Sequence, residues 1–206
     1  MKEIEAKFYV RRLELIRSRV TRLGGRLGAR QHLERNWGYD LPGDPLAKQL
    51  SLLRLRQDRA ATLTYKRRGR SIESREEIEL QVADPSTADA LLAALGYRVV
   101  ASYEKLRREY SLGPVRVMLD ELPFGEFVEI EGPGLQQIKR AAIQLGLVWS
   151  RRVRNTYLEL FDQLRAEYSL RFREASFERF ATLPQIRADR IGLRDAVRPE
   201  LPARDR

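Results

Sequence analysis

The chain repeatedly sets charged residues at every second position with apolar residues between them, and it does so in several separate segments. In the first of these, Glu3, Glu5 and Lys7 alternate with Ile4, Ala6 and Phe8. Successive side chains of an extended strand point to opposite faces, so this spacing gathers two carboxylates and an amine on one side. The alternation returns with Arg54 and Arg56, with Thr62, Thr64 and Lys66, with Glu77 and Glu79, with Lys105 and Arg107, at Asp120, and with Glu129 and Glu131. Facing the other way are Leu53, Leu55, Leu63, Ile78, Leu80, Val117, Leu119, Val128 and Ile130. One such strand is an edge with a wet face. A whole set of them asks for a shared place to put the charges.

The intervening residues set the order of elements. Residues 2–10 read as a strand, and 11–28 show helical spacing through Leu13, Ile16, Val20 and Leu23, closed by Gly24 and Gly25. A strand over 32–40 ends in the turn chemistry of Leu41-Pro42-Gly43-Asp44-Pro45. Strands are expected at 53–56, 61–66 and 77–82, with a hairpin tip at 67–71. Asp84-Pro85-Ser86 caps a helix reaching Leu95, which Gly96 ends. Strands over 98–111, 114–120 and 126–131 follow, the last two joined by Leu122-Pro123-Phe124-Gly125, and helices are expected over 133–145 and 156–180. So many strands with few helices between them indicate an α+β fold built on an antiparallel sheet or barrel, not a parallel doubly wound one.

The consistent charge of one strand face suggests an inverted barrel, with a polar charged lumen and helices packed on the apolar outside. Burying unpaired charges costs several kcal/mol each. The lumen must therefore be wet and its charges must be balanced mutually or by a ligand. Arginine forks grip phosphate oxygens, and carboxylates hold the hard cation that bridges those oxygens. A triphosphate satisfies both halves.

Composition narrows the chemistry further. The 206 residues contain no cysteine and a single histidine, His32, which excludes disulfides, thiolate metal sites and cysteine nucleophiles. Oxygen-ligated ions such as magnesium or manganese are favoured over zinc. A formal net charge of +10 asks for an anionic partner, yet the cations are interleaved with carboxylates, which argues against a nucleic-acid duplex. No apolar run is long enough to span a bilayer, and the opening residues are charged and alternating, so a soluble cytoplasmic protein is expected, with no membrane partner.

The segments Glu3-x-Glu5-x-Lys7, Leu53-Arg54-Leu55-Arg56, Tyr65-Lys66, Arg75-Glu76-Glu77-Ile78-Glu79, Glu104-Lys105-Leu106-Arg107, Leu119-Asp120 and Phe127-Val128-Glu129-Ile130-Glu131 occur in one order. That order resembles the CYTH superfamily, the triphosphate tunnel metalloenzymes. The resemblance continues through Asn155-Thr156-Tyr157-Leu158-Glu159-Leu160 and covers residues 1–162. It implies an antiparallel eight-stranded tunnel with the charged residues pointing inward. It also implies that Glu3, Glu5, Glu129 and Glu131, with Asp120 nearby, hold one or two magnesium or manganese ions. Lys7, Arg54, Arg56, Lys66 and Arg107 would grip the phosphates and act in catalysis, joined in binding by Lys105 and, just before the closing segment, Arg154. Glu77 or Glu79 would supply a further inward acid.

Members of this family include class IV adenylyl cyclases, thiamine triphosphatases, tripolyphosphatases and RNA triphosphatases. Leu95-Gly96-Tyr97, Glu104 to Arg107, Tyr110, Asp120 and Gly125-Glu126-Phe127 resemble the class IV cyclase layout, so conversion of ATP to cyclic AMP and pyrophosphate is the leading expectation. Hydrolysis of tripolyphosphate, thiamine triphosphate or a nucleoside triphosphate is the alternative, and a binding module without catalysis is a further one. Gly38-Tyr39-Asp40 and Asn155-Thr156 depart from the family's usual residues, which affects substrate selection more than the tunnel. Residues 163–206 carry ten arginines and seven acids. They are expected to form a helical extension packed on the barrel or on a second subunit of a homodimer, with a mobile end after Pro184.

Overall fold

Each alternating segment forms a strand, and the strands join edge to edge. The computed structural model describes residues 2–68 and 74–198, with the backbone path alone for Lys2, Glu3, Arg68, Ser74 and Arg75. β1 (Lys2–Val10) leads to α1 (Leu13–Arg22), the long β2 (Arg26–Asp40) and a one-turn helix, α2 (Pro45–Lys48). The meander β3 (Ser51–Gln57), β4 (Ala61–Arg68) and β5 (Ser74–Val82) ends at α3 (Pro85–Ala94). β6 (Arg98–Leu112), β7 (Val115–Leu122) and β8 (Gly125–Glu131) precede α4 (Leu135–Gln144). The short β9 (Arg152–Val153), α5 (Tyr157–Glu167), the short β10 (Glu174–Ala175) and α6 (Phe177–Ala181) follow.

The pairings run from β1 through β8, β7, β6, β2, β3, β4 and β5 and return to β1, every step antiparallel. The expected α+β class and antiparallel eight-stranded arrangement are present. The β1–β5 seam is the shortest, limited to Lys2–Ile4 against Ser74–Glu76. β10 adds a parallel pairing to β6, and β9 pairs β1.

The outward faces bury their apolar residues in separate clusters. Phe8 and Val10 of β1, Val117 and Leu119 of β7, and Val128 and Ile130 of β8 pack with Ile16 and Val20 of α1 and Ile138 of α4. Tyr39 and Leu55 pack with Ala88 and Leu92 of α3, with Leu53 and Leu63 against them. Ile78 and Leu80 depart from the expected covered face, because no helix packs over β5 among the described residues; they are 67% and 50% exposed.

Three boundaries differ from the sequence expectation. α1 stops at Arg22 because Gly24 takes a left-handed φ of +80, and the chain turns so that Arg26 and Leu27 pair with Ser111 and Tyr110 of β6. The helix expected over 156–180 ends at Glu167: Ser169 adopts φ +53, and the Arg165 Nε donates to the carbonyl of Phe172 at 2.7 Å. Residues 185–198, expected to belong to a mobile end, are fixed across the barrel. Ala188 N donates to Phe124 O at 2.9 Å, and Ala196 N donates to Tyr9 O at 2.8 Å. Residues 199–206 of that expected end, and the tip residues 69–71 of the expected 67–71 hairpin, lie outside the described residues.

α5 starts with a reciprocal cap: the Thr156 hydroxyl accepts from Glu159 N at 3.2 Å, and Glu159 accepts from Thr156 N at 2.6 Å. Replacing Thr156 with alanine should cost about 1 kcal/mol. Denaturant titration would show it as a lower midpoint at unchanged slope, and an unchanged midpoint would contradict the cap's role.

Candidate active site

The inward faces enclose a cavity of about 720 Å³, and most of the charged residues singled out from the sequence line it. Glu5, Lys7, Arg54, Arg56 and Lys66 are on its wall. So are Glu77, Glu79, Lys105, Arg107, Glu129 and Glu131. The strand period of two puts them there, since most of their neighbours in sequence face the other side of the sheet.

Register then decides which charges meet. Glu5 lies directly opposite Glu131, and Lys7 directly opposite Glu129, across the β1–β8 pair. Like charges facing each other across antiparallel strands destabilise the pair. A cation beside them removes that cost. Arg116 meets Glu131 at 2.5 Å on its more exposed side. Glu5, Glu129 and Glu131 line one wall with carboxylate oxygens, the donor type that magnesium or manganese takes, and Glu129 is also engaged by Lys7 and Arg107. The Glu3 side chain lies outside the described residues.

Behind this wall is a buried network. Lys105 Nζ lies 3.1 Å from Glu34 and 3.4 Å from Asp120. Arg107 Nη2 lies 2.5 Å from Asp120 and also pairs with Glu129, which in turn meets Lys7 at 3.2 Å. The Tyr157 hydroxyl donates to Asp120 at 2.9 Å, and its ring lies under Lys7 Nζ, 3.9 Å from the ammonium. Asp120, expected beside the metal, is fully buried, with its oxygens occupied by Lys105, Arg107 and Tyr157. It braces the cations from behind.

Burial opposes ionisation of Glu34 and Glu129, but Lys105 and Arg107 beside the first, and Lys7 and Arg107 beside the second, hold both carboxyls well below the usual range. Burial and Arg107 likewise oppose the Lys105 charge, yet Asp120, Glu34 and Glu129 keep that ammonium above its ordinary value. Depressed carboxyls stabilise the fold fully above the unfolded value of about 4.3 and lose that contribution as pH falls. Tm should therefore drop as pH is lowered from about 6 to about 3, and Glu34→Gln should flatten the drop. A scanning-calorimetry profile equally steep in that variant would contradict the assignment.

The opposite wall is more open. Lys66 pairs with Glu77 at 3.2 Å, Arg56 lies 3.7 Å from Glu79, and the Thr64 hydroxyl donates to Glu79 at 3.1 Å. The Nε atoms of Arg54 and Arg56 are buried without a hydrogen-bond partner among the described residues. Burial acts against the Arg54 charge, but Tyr103 and Glu34 hold its guanidinium above the usual arginine range. The two guanidinium groups lie on one cavity wall and suit an anion.

Beyond Lys7 and Glu129 the same strand faces carry Tyr9 and Phe127, packed with Phe124, Tyr157 and Phe161. This aromatic layer bounds the charged cavity. Arg154 stays exposed and is not among the lining residues. His32, Glu34 and Asp58 bring donor atoms within 4.8 Å of one another, but Lys105 already engages Glu34, and Arg56 lies 3.8 Å from Asp58.

Glu34, Glu109 and Arg116, and Tyr157 of the closing segment, none with a site role in the sequence reading, also line the cavity. Glu109 continues the Lys105-Arg107 alternation, and Arg116 shares a face with Asp120, so both were available at a spacing of two. Tyr157 reaches the site from a helix start, where strand periodicity gives no signal.

The protein-family model described as the CYTH domain matches residues 1–137. The chain belongs to the CYTH family. No curated protein matches it. Among solved structures, this CYTH chain is similar to the PH1012 protein of Pyrococcus horikoshii, with 28% identity, a TM-score of 0.68, and 76% of this chain and 98% of that one covered. A protein of Vibrio parahaemolyticus described as a candidate adenylate cyclase shares the fold at 23% identity and TM-score 0.68, over 78% of this chain and 97% of that one. The HpAC1 protein of Hippeastrum, a candidate adenylyl cyclase described as having a dominant triphosphatase activity, shares it at 20% identity and TM-score 0.53, over 67% and 83%. The CYTH family includes enzymes, and its members bind triphosphate substrates.

Proposed function

We propose that this chain is a divalent-metal-dependent enzyme acting on a triphosphate-bearing small molecule held in the charged cavity. The observation that carries the reading is the division of that cavity, with facing carboxylates Glu5 and Glu131 on one wall and the guanidinium groups of Arg54 and Arg56 on another. Arg54, Arg56, Lys66, Lys7 and Arg107 would hold the phosphate oxygens and neutralise charge as a phosphate bond breaks. Glu5, Glu131 and Glu129, with Glu3 on the same strand, would hold magnesium or manganese. When bound, the ion would neutralise phosphate oxygens and help orient them. Glu34 and Asp120 fix Lys105 and Arg107 in place before substrate arrives, and such preorganisation is worth more than the same contacts in water.

Cyclisation of ATP is the leading reaction. It joins the ribose 3′-oxygen to the alpha phosphorus and releases pyrophosphate. A volume of about 720 Å³ falls within the range of roughly 300–1,000 Å³ that takes whole small molecules. Leu52, Tyr103 and Leu158 add apolar lining for a nucleoside. Hydrolysis is the second reading, supported by the triphosphatase activity described for the Hippeastrum protein of the same fold. Incubation with magnesium or manganese and ATP, tripolyphosphate or thiamine triphosphate separates the two. Cyclic AMP with pyrophosphate supports the cyclase, orthophosphate alone supports the hydrolase, and no product from any substrate would overturn both.

Charge reversal on the arginine wall should be costly. Arg54→Glu is expected to raise KM and lower kcat/KM by about a hundredfold or more, since it replaces a phosphate grip with repulsion. Steady-state kinetics with an unchanged kcat/KM would remove Arg54 from the site.

A further inference from the structure

A second charged cavity lies outside the tunnel. Among the described residues five arginines line it: Arg11 from just past β1, Arg151 from the turn before β9, and Arg187, Arg190 and Arg194 from residues 185–198, the C-terminal strap. The strap lies beyond the residues that the CYTH model matches. The cleft is open and has a volume of about 890 Å³.

Two acids share the wall without cancelling the cluster. Asp189 lies 3.6 Å from Arg11 and 3.9 Å from Arg187, while the Asp195 carboxylate accepts from the backbone of Val197 at 3.0 Å. Five cations less two anions leave three positive charges. The exposed guanidinium groups of Arg190 and Arg194 have no hydrogen bond or ion pair among the described residues.

Backbone contacts hold most of the arrangement, and the Arg151 guanidinium adds a bond to the Asp195 carbonyl at 2.6 Å. The strap is tied to the barrel through Ala188 and Ala196, and Gly192 turns it at a left-handed φ of +82 between Arg190 and Arg194. The arginines are thus held close despite their repulsion, a state that a multivalent anion relieves. Guanidinium forks match phosphate oxygens. Among the described residues the wall contains no aromatic ring on which a nucleotide base could stack, its uncharged lining being Gln185 and Leu193.

We infer that this cleft binds an inorganic polyphosphate chain, at a site separate from the tunnel and independent of the reaction performed there. The test is to titrate the full chain with long-chain inorganic polyphosphate, using wild type, Arg190→Glu with Arg194→Glu, and Glu5→Gln with Glu131→Gln. The arginine variant should bind about tenfold more weakly for each arginine replaced, while turnover in the tunnel is unchanged. Without divalent metal, where the tunnel grips phosphate weakly, the glutamate variant should bind polyphosphate like wild type even if it has lost turnover. Arg190→Lys with Arg194→Lys, which keeps the charge and removes the forks, should fall between. Undiminished binding in the charge-reversed protein would overturn the inference. So would oligothymidylate or polyglutamate binding as tightly as polyphosphate, since either would assign the cleft to nucleic acid or to unspecific charge.

Discussion

Replacing Glu5 and Glu131 with glutamine should lower turnover by about a hundredfold or more while leaving Tm close to wild type. The two carboxylates face each other across β1 and β8, with Arg116 against Glu131 on its more exposed side. Removing the charges ends their mutual repulsion and weakens the partly exposed Arg116 pair. It also removes the donor set that fits a divalent ion, and with it the neutralisation of the phosphates. Glu129 makes a poorer test, because Lys7 and Arg107 rely on it and its loss would strand buried cations. Activity rescued by excess magnesium in the double variant would support weakened ion binding. Wild-type kcat/KM at ordinary magnesium would show that these carboxylates hold nothing the reaction needs.

Asp120→Ala should be the most destabilising single change in the site, by about 3–5 kcal/mol. Asp120 is fully buried and is shared by Lys105, Arg107 and the Tyr157 hydroxyl. Its removal leaves two cations buried with too little compensation, which costs more than the pair itself contributes. At roughly 2–4 °C per kcal/mol for a chain of this size, Tm should fall by about 6–20 °C. Asp120→Asn keeps the shape and one acceptor, so its loss should be smaller. Calorimetry showing equal Tm for Asp120→Ala and wild type would mean that the network is not what orders Lys105 and Arg107.

The strand faces were legible because a period of two is a local property, readable from Glu5-Ala6-Lys7 or Glu129-Ile130-Glu131 without knowing what lies across the sheet. Pairing was not legible in the same way. That Glu5 meets Glu131, and that Asp120 is used up by Lys105, Arg107 and Tyr157, depends on register and on a helix start distant in sequence. The C-terminal strap was misread for a related reason. Its arginines and prolines look like a solvated tail, but Ile186, Ala188 and Ala196 supply the few small contacts that dock it. Ser169 broke the expected long helix by adopting a left-handed conformation that residue type alone does not announce.

Metal and phosphate are held together in the proposed tunnel, and the most direct measurement of this is calorimetric titration of tripolyphosphate into the protein with and without magnesium. Because the arginine cleft would also take polyphosphate, the titration uses Arg190→Glu with Arg194→Glu as the host protein. Binding should be tight with magnesium, markedly weaker without it, and weakened with magnesium when Glu5→Gln and Glu131→Gln are added. Equal affinity with and without the metal, undiminished by loss of the two carboxylates, would contradict a tunnel that grips triphosphate through a shared ion.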